Sequence, residues 1–218
     1  AVGLGMLKPG MFTRALYGLE SLAYRKAARV SGISRGMLAV FGEKGVAPEK
    51  TILFPNGVVL PAAAELGKRG FFRGRHGVKP DEFLAVYAGN LGVKQGLEVL
   101  IDAAGRLKEG RISLVVCGDG ARREELARKI RDEEAGNVLL LPLQNELHYR
   151  EMLSDADVCL ITQRKCADRA FFPSKLLTTL AWGRPVVAVA ANDSELAKVV
   201  LEAGCGIVVE PEKRKSGL

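Results

Sequence analysis

Histidine is nearly absent. His76 and His148 are the only two in 218 residues, and both lie in polar segments, where they are expected to be solvated surface residues. No Ser/His/Asp or Cys/His constellation can therefore be assembled, which excludes nucleophilic catalysis of that kind. Cysteine is also scarce: Cys117 and Cys159 fall in apolar strand-like runs, Cys166 in a loop and Cys205 between two glycines. There is no CxxC pair and the spacing suits no zinc site, leaving buried free thiols in a reducing compartment. A metal centre would need clustered carboxylates, and Asp155 with Asp157 reads better as a helix end and a strand entry. No apolar run approaches the roughly 18 to 20 residues that span a bilayer. The N-terminus lacks the basic, apolar and small-residue order of a signal peptide. A soluble, cytoplasmic protein is the expectation.

What remains is the composition of an ordinary globular α/β protein, 48% hydrophobic and 26% charged. The net charge of +7 is unevenly spread: residues 1–50 carry 8 basic and 3 acidic groups, residues 51–90 carry 5 and 3, and residues 91–218 carry 19 of each. The first 90 residues thus hold the whole excess. No helix-turn-helix cue, zinc knuckle or interleaving of aromatic and basic residues accompanies it, so nucleic acid is not an expected partner. A basic surface against anionic lipid headgroups fits the asymmetry, with peripheral contact at the inner face of the plasma membrane; a plain solvated face fits it too.

From Phe83 onward short apolar runs alternate with amphipathic helical patterns. Strands are expected at "FLAVYAG", "ISLVVCG", "VLLL", "VCLIT", "PVVAVA" and "GIVV", each but the last followed by a helix. Strands apolar throughout and separated by helices indicate a Rossmann-like, doubly wound parallel sheet with helices on both faces. A partial helical segment precedes it. There Thr13 is a plausible cap for a helix presenting Leu16, Leu19 and Ala23 on one face, Ser34 caps a second, and "TILFPNGV" reads as a strand running into an Asn-Gly turn. Two helices and a strand are too little to close a core alone. The boundary is expected near residue 55, with a partial N-terminal unit over 1–55 and the sheet domain over 56–218.

Ligands of such sheets bind beyond the carboxyl ends of the strands, and three of those loops suit phosphate. In "GNLGVKQG", Gly89, Gly92 and Gly96 allow close backbone approach to an anion while Lys94 adds a cation. The spacing is neither GxGxxG nor a P-loop, which disfavours a dinucleotide. "GDGARREEL" places Gly118 and Asp119 at another strand end, where a tight structural turn is the competing reading. In "FFPSK", Pro173 suits the first helical position, the next amides are free and Ser174 adds a hydroxyl. Lys175 in a first turn opposes the helix dipole, so the site favours an oxyanion. Lys94 and Lys175 on two loops of one sheet suit a diphosphate better than a monophosphate.

The order "FPNGV", "YAGNLGVKQGLEVLIDAA", "LVVCGDGARREEL", "NVLLLPLQ", "ADVCLI", "PSKLLTTLAWGRPVVA" and "ELAKVVLEAGCGIVVEPE" resembles the C-terminal, donor-binding half of a glycosyltransferase family 4 enzyme of the GT-B fold. It is most similar to the bacterial cell-envelope branch of colanic-acid-type and aminodeoxysugar transferases. The resemblance implies a retaining transferase that takes a sugar from a nucleoside diphosphate sugar, UDP-sugar favoured, and passes it to a cell-envelope glycan or lipid-linked acceptor. It implies no cofactor and no metal. By the same resemblance Lys94 and Lys175 act on the leaving diphosphate, and Gly89, Asn90, Gly92, Ser174, Lys175 and Leu176 hold the diphosphate and sugar. Gly118, Asp119, Pro142, Leu143 and Thr178 then line the nucleoside pocket. The family pattern has two glutamates around the Lys175 helix where this sequence reads Ala170 and Thr178. It also has an arginine where this sequence has Asn90, with the loop lysine one place later than Lys94. A deoxy or N-acetylated deoxysugar donor is therefore expected. By comparison with the family these 218 residues are expected to bind nucleotide weakly and to transfer nothing alone. A catalytically inactive nucleotide-binding module and a nucleotide-sugar 2-epimerase are the competing functions.

Overall fold

The structure is a computed structural model that describes residues 10–66, 69–164 and 173–211. The N-terminal part comprises α1 (Met11–Lys26), β1 (Val30–Gly32), α2 (Arg35–Glu43) and β2 (Thr51–Leu53), followed by the short helices α3 (Ala63–Leu66) and α4 (Phe71–His76). β1 and β2 form a two-stranded parallel sheet, and a small core of Val30, Phe41 and Val46 lies beside it. Three expectations need correction here. Gly10, not Thr13, is the N-cap of α1; Thr13 stands in the first turn, its Oγ1 accepting from Gly10 N and donating to Gly10 O, both at 2.8 Å. Asn56 and Gly57 form no turn and lie in the irregular stretch that follows β2. The sequence also missed β1, a three-residue strand too short to show a period. Ser34 does cap α2, accepting from Met37 N at 3.2 Å. Leu16 and Leu19 on α1 are exposed. No described helix is long and apolar enough to cross a membrane.

The second part contains all six expected strands: β3 (Phe83–Ala88), β4 (Ile112–Cys117), β5 (Val138–Leu141), β6 (Val158–Thr162), β7 (Val186–Val189) and β8 (Gly206–Val209). They pair in the order β5-β4-β3-β6-β7-β8, every pair parallel. β3, β4, β6 and β7 are buried on both faces along most of their length, which explains runs without alternation, whereas the edge strand β8 alternates half-buried and exposed residues. Along β3, Ala85 and Tyr87 join the core beneath α5 (Glu98–Arg106) and α6 (Arg123–Asp132). Leu84 and Val86 join the opposite core with Phe72 of α4 and with Met152 and Leu153 of α7 (Glu146–Asp155). The helices α8 (Lys175–Ala181) and α9 (Glu195–Glu202) pack through Leu176, Leu196 and Val200 on Ile161, Val186 and Ala188.

Asp155 and Asp157 end α7 and enter β6 as expected, and they also anchor α4. The fully buried Asp155 carboxylate accepts from the amides of Gly70 and Arg73, while the Arg73 guanidinium bonds Asp157 at 2.6 Å and the carbonyls of Lys79 and Glu82. His76 is not a freely solvated histidine: its ring packs at a tilt against Phe72, centroids 4.4 Å apart, and its Nε2 is buried without a partner among the described residues. His148 is half-buried as well.

The chain winds outward from β3 to β5, then returns to the other side of β3 with β6. A crevice opens where the order reverses, beyond the carboxyl ends of β3 and β6. Its floor is set by loops packed backbone to backbone. Gly89 N donates to Cys117 O at 2.9 Å, Leu91 N to Asp119 O at 2.8 Å and Gly118 N to Leu141 O at 3.1 Å, carrying the ladder past the strand ends. Gly118 adopts φ 148°, and a Cβ there would lie 1.8 Å from the Gly89 carbonyl oxygen. Gly118→Ala is therefore expected to lower stability by on the order of 3 kcal/mol, through both backbone strain and overlap. Urea denaturation should show this as a lower midpoint at unchanged slope.

Candidate functional site

A cleft of about 550 Å³ occupies the crevice. Ala88 and Gly89 reach it from the end of β3, Cys117 from the end of β4, and Leu143 and Gln144 from the loop after β5. Glu146 and Tyr149, three residues apart and hence on one face of α7, add a wall. Ser174, Lys175, Leu177 and Thr178 of the α8 region form another, and Asn56, Gly57 and Val58 close the site from the N-terminal side.

Lys175 is the electrostatic centre. Its Nζ lies 3.7 Å from the centroid of the Tyr87 ring. It is also placed so that a Cβ on Gly89 would be 3.5 Å from it. Burial pushes its pKa down to about 7, because desolvation disfavours the charged form. Among the described residues no carboxylate forms an ion pair with it, and the ring face is its one cationic contact. The residue nevertheless remains half-buried and reaches the cleft. Tyr87 is itself held: its hydroxyl donates to Asn90 O at 2.8 Å, and burial raises its phenol well above the ordinary range. A cation kept from bulk water, without a counter-charge and open to a cleft, is a receptor for an anion from solution.

Of the residues expected from sequence, Gly89, Ser174, Lys175, Leu143 and Thr178 meet at this cleft. Lys94 does not line it; it is half-buried on a short 3₁₀ turn, and its carbonyl accepts from Arg164 N at 2.9 Å. Asn90 and Gly92 belong to the loop above Tyr87, with Asn90 exposed and Gly92 in extended conformation. Gly118 and Asp119 lie beneath that loop as packing residues, the turn reading of "GDG"; Asp119 Oδ1 accepts from Gly120 N at 2.8 Å. Pro142 adjoins the cleft, its carbonyl accepting from Cys117 Sγ at 3.3 Å and from Gln144 Nε2 at 2.8 Å. Leu176 is turned away from the cleft, fully buried between Ile161 and Leu196, so it anchors α8 rather than facing a ligand. Pro173 precedes the cap Ser174 and is not the first helical residue. The amides of Leu176 and Leu177 are already spent on the Pro173 and Ser174 carbonyls, at 3.0 and 3.1 Å. Lys175, not a row of free amides, is thus the principal anion-attracting group. Ala170 and Cys166 lie outside the described residues.

Gln144, part of the "PLQ" stretch that the resemblance places at the nucleoside, also lines the cleft, whereas Asn56, Gly57, Val58, Ala88, Cys117, Glu146, Tyr149 and Leu177 were not singled out as site residues by sequence. The spacing of Glu146 and Tyr149 on one helix was the available signal; the approach of Asn56 from before the sheet had none. Behind the site Glu98 binds Arg122 at 2.5 Å and Arg164 at 2.7 Å, tying the loops after β3, β4 and β6 together. Among the described residues no group of three or more histidine, cysteine or carboxylate side chains could hold a metal.

Known proteins share this fold. WcaI of Escherichia coli (strain K12), named as a colanic acid biosynthesis glycosyl transferase, is 30% identical over 217 residues, which are 97% of this chain and 53% of WcaI. A glycogen synthase of Thermus thermophilus is 28% identical over 88% of this chain and 42% of its own length. The chain spans about half the length of the curated relatives it matches. In structure, Alr3699/HepE of Anabaena superposes with a TM-score of 0.74 at 21% identity, covering 92% of this chain and 54% of that one. WaaG, a glycosyltransferase involved in lipopolysaccharide biosynthesis, gives 0.69 at 20% identity, over 93% and 57%. Residues 68–216, which contain the whole six-stranded sheet and the Lys175 wall of the cleft, match the family described as Glycosyl transferases group 1, and the chain belongs to that family.

Proposed function

We propose that the cleft holds the nucleoside diphosphate of a sugar donor, UDP-sugar favoured, and that the protein passes the sugar with retention to a cell-envelope glycan or lipid-linked acceptor at the cytoplasmic face of the membrane. The observation that carries this reading is the desolvated Lys175 ammonium, without an ion-pair partner among the described residues, at the switch point of the sheet. Family membership supports glycosyl transfer. The similar fold of HepE, described in complex with UDP and with UDP-glucose, supports a uridine donor. WcaI, by its name, supports an envelope polysaccharide.

As the bond from the anomeric carbon to the β-phosphate oxygen breaks, negative charge grows on the departing diphosphate. Lys175 is fixed where it opposes that charge in a poorly hydrated place, so little reorganisation is needed during the step. Ser174 offers a hydroxyl beside it, and Lys94 a second cation on the neighbouring turn. When the leaving phosphate itself takes the acceptor's proton, no protein base is required, which suits a lining without histidine among the described residues. The ammonium supplies positive charge that a divalent ion would otherwise bring, so donor binding is proposed to be metal-independent. Leu143 and Gln144 then border the nucleoside, with Thr178 on the opposite wall. A 2-epimerase would call on acidic and histidine side chains, and the described lining offers one glutamate. These 218 residues alone are proposed to bind the donor without transferring it.

Calorimetric titration tests the assignment. UDP should bind the chain, and chelation by EDTA should leave its affinity unchanged. Lys175→Met should weaken UDP by about thirtyfold, or about 2 kcal/mol. The same substitution should stabilise the unliganded chain by about 1 kcal/mol or more, since it replaces a buried unpaired cation with an apolar side chain of similar length. UDP affinity unchanged in Lys175→Met would contradict the reading.

A further inference from the structure

We propose that Glu146 reads the ribose of the bound nucleotide, an assignment that rests on the donor-site reading above. Among the described residues lining the cleft, Glu146 is the one carboxylate and Lys175 the one cation. A carboxylate in a cleft that attracts a diphosphate opposes the ligand's charge, unless its oxygens accept hydrogen bonds from ligand hydroxyls. A ribose offers two such donors side by side, and a hydrogen bond to an ionised acceptor is roughly twice as strong as a neutral one.

Position along the sheet separates the ribose from the transferred sugar. Lys175 follows β6 and Glu146 follows β5, with β3 and β4 between those strands. That is three strand spacings, about 14 Å at the ordinary interval. The transferred sugar is joined to the β-phosphate, so it lies at the Lys175 end. The nucleoside is joined through the α-phosphate and extends the other way, toward the wall of Leu143, Gln144 and Glu146.

The carboxylate is also held ready. Glu146 Oε1 accepts from Arg150 Nε at 3.1 Å and Nη2 at 2.8 Å, while Arg150 Nη1 reaches Glu65 at 2.7 Å. The arginine is thus shared between Glu146 and Glu65, and Glu146 Oε2 has no bond among the described residues. A first-turn glutamate that complements the dipole of α7 accounts for the place of Glu146 along its helix. It does not account for its place on the cleft wall beside Tyr149, across from the uncharged Thr178.

The test is titration of the 218-residue chain and its Glu146→Gln and Glu146→Ala variants with UDP, 2′-deoxy-UDP and inorganic pyrophosphate. The unsubstituted chain should prefer UDP over 2′-deoxy-UDP by about tenfold. Glu146→Ala should reduce that preference below about twofold through loss of UDP affinity alone, with Glu146→Gln intermediate and pyrophosphate affinity the same in all three. A preference that persists in Glu146→Ala, an equal loss for both nucleotides, or no preference in the unsubstituted chain would overturn the role of Glu146. If pyrophosphate still binds in that case, the donor-site reading stands. Failure of the unsubstituted chain to bind either UDP or pyrophosphate would overturn both.

Discussion

The site is organised around the cost of keeping an ammonium group out of water. Lys175 sits on the face of Tyr87, against the backbone of Gly89, with its pKa depressed to about 7 by burial. In the unliganded protein this is unfavourable, and the surroundings hold it in place. Tyr87 belongs to a strand buried on both faces and is tied by its hydroxyl to Asn90. Leu176, the next residue after the lysine, is locked into the core beneath α8. The unfavourable term is relieved when an anion enters the cleft, so the strain of the empty state favours the occupied one.

The loops that surround the ammonium gain their rigidity from one another. Gly118 allows the turn after β4 to lie directly on Gly89, and Glu98 joins Arg122 and Arg164 from two further loops. A group that must meet developing charge needs such fixed surroundings, because reorganisation during the reaction would cancel part of its benefit. The glycines of "GDG" therefore act on the cleft indirectly, by setting the height of the loop that carries Gly89.

Much of this architecture was legible in the sequence. The strands could be placed because those at the centre of the sheet are buried on both faces and apolar throughout, and the parallel order follows from the helices between them. Lys175 stood out because it opposes a helix dipole, a local conflict of the kind that marks functional positions. The partner that gives it its properties did not stand out: Tyr87 is a core aromatic on another strand, and no local pattern joins the two. Leu176 was misjudged because adjacency to a functional residue says nothing about direction on a helix, where neighbours point about 100° apart. Asn56-Gly57 was misjudged because a favoured turn dipeptide was outweighed by the path from β2 to the cleft. Thr13 has cap chemistry but uses it from within the first turn, a shift of a few residues that propensity alone does not resolve.

The central claim is that Lys175, whose proton is only weakly held in the empty cleft with a pKa of about 7, is held fully charged when a diphosphate fills it. Between its free pKa of about 7 and the higher value it takes beside the anion, binding must take up a proton, and affinity must fall as pH rises. The phosphate's own titration near pH 6 lies below that window. The direct measurement is calorimetry of UDP binding from about pH 6 to 9 in buffers of differing ionisation enthalpy. Uptake approaching one proton per UDP at about pH 8.5, with affinity falling up to about tenfold per pH unit and the uptake abolished in Lys175→Met, is the predicted result. A pH-independent affinity with no proton exchange above pH 7 would contradict the account.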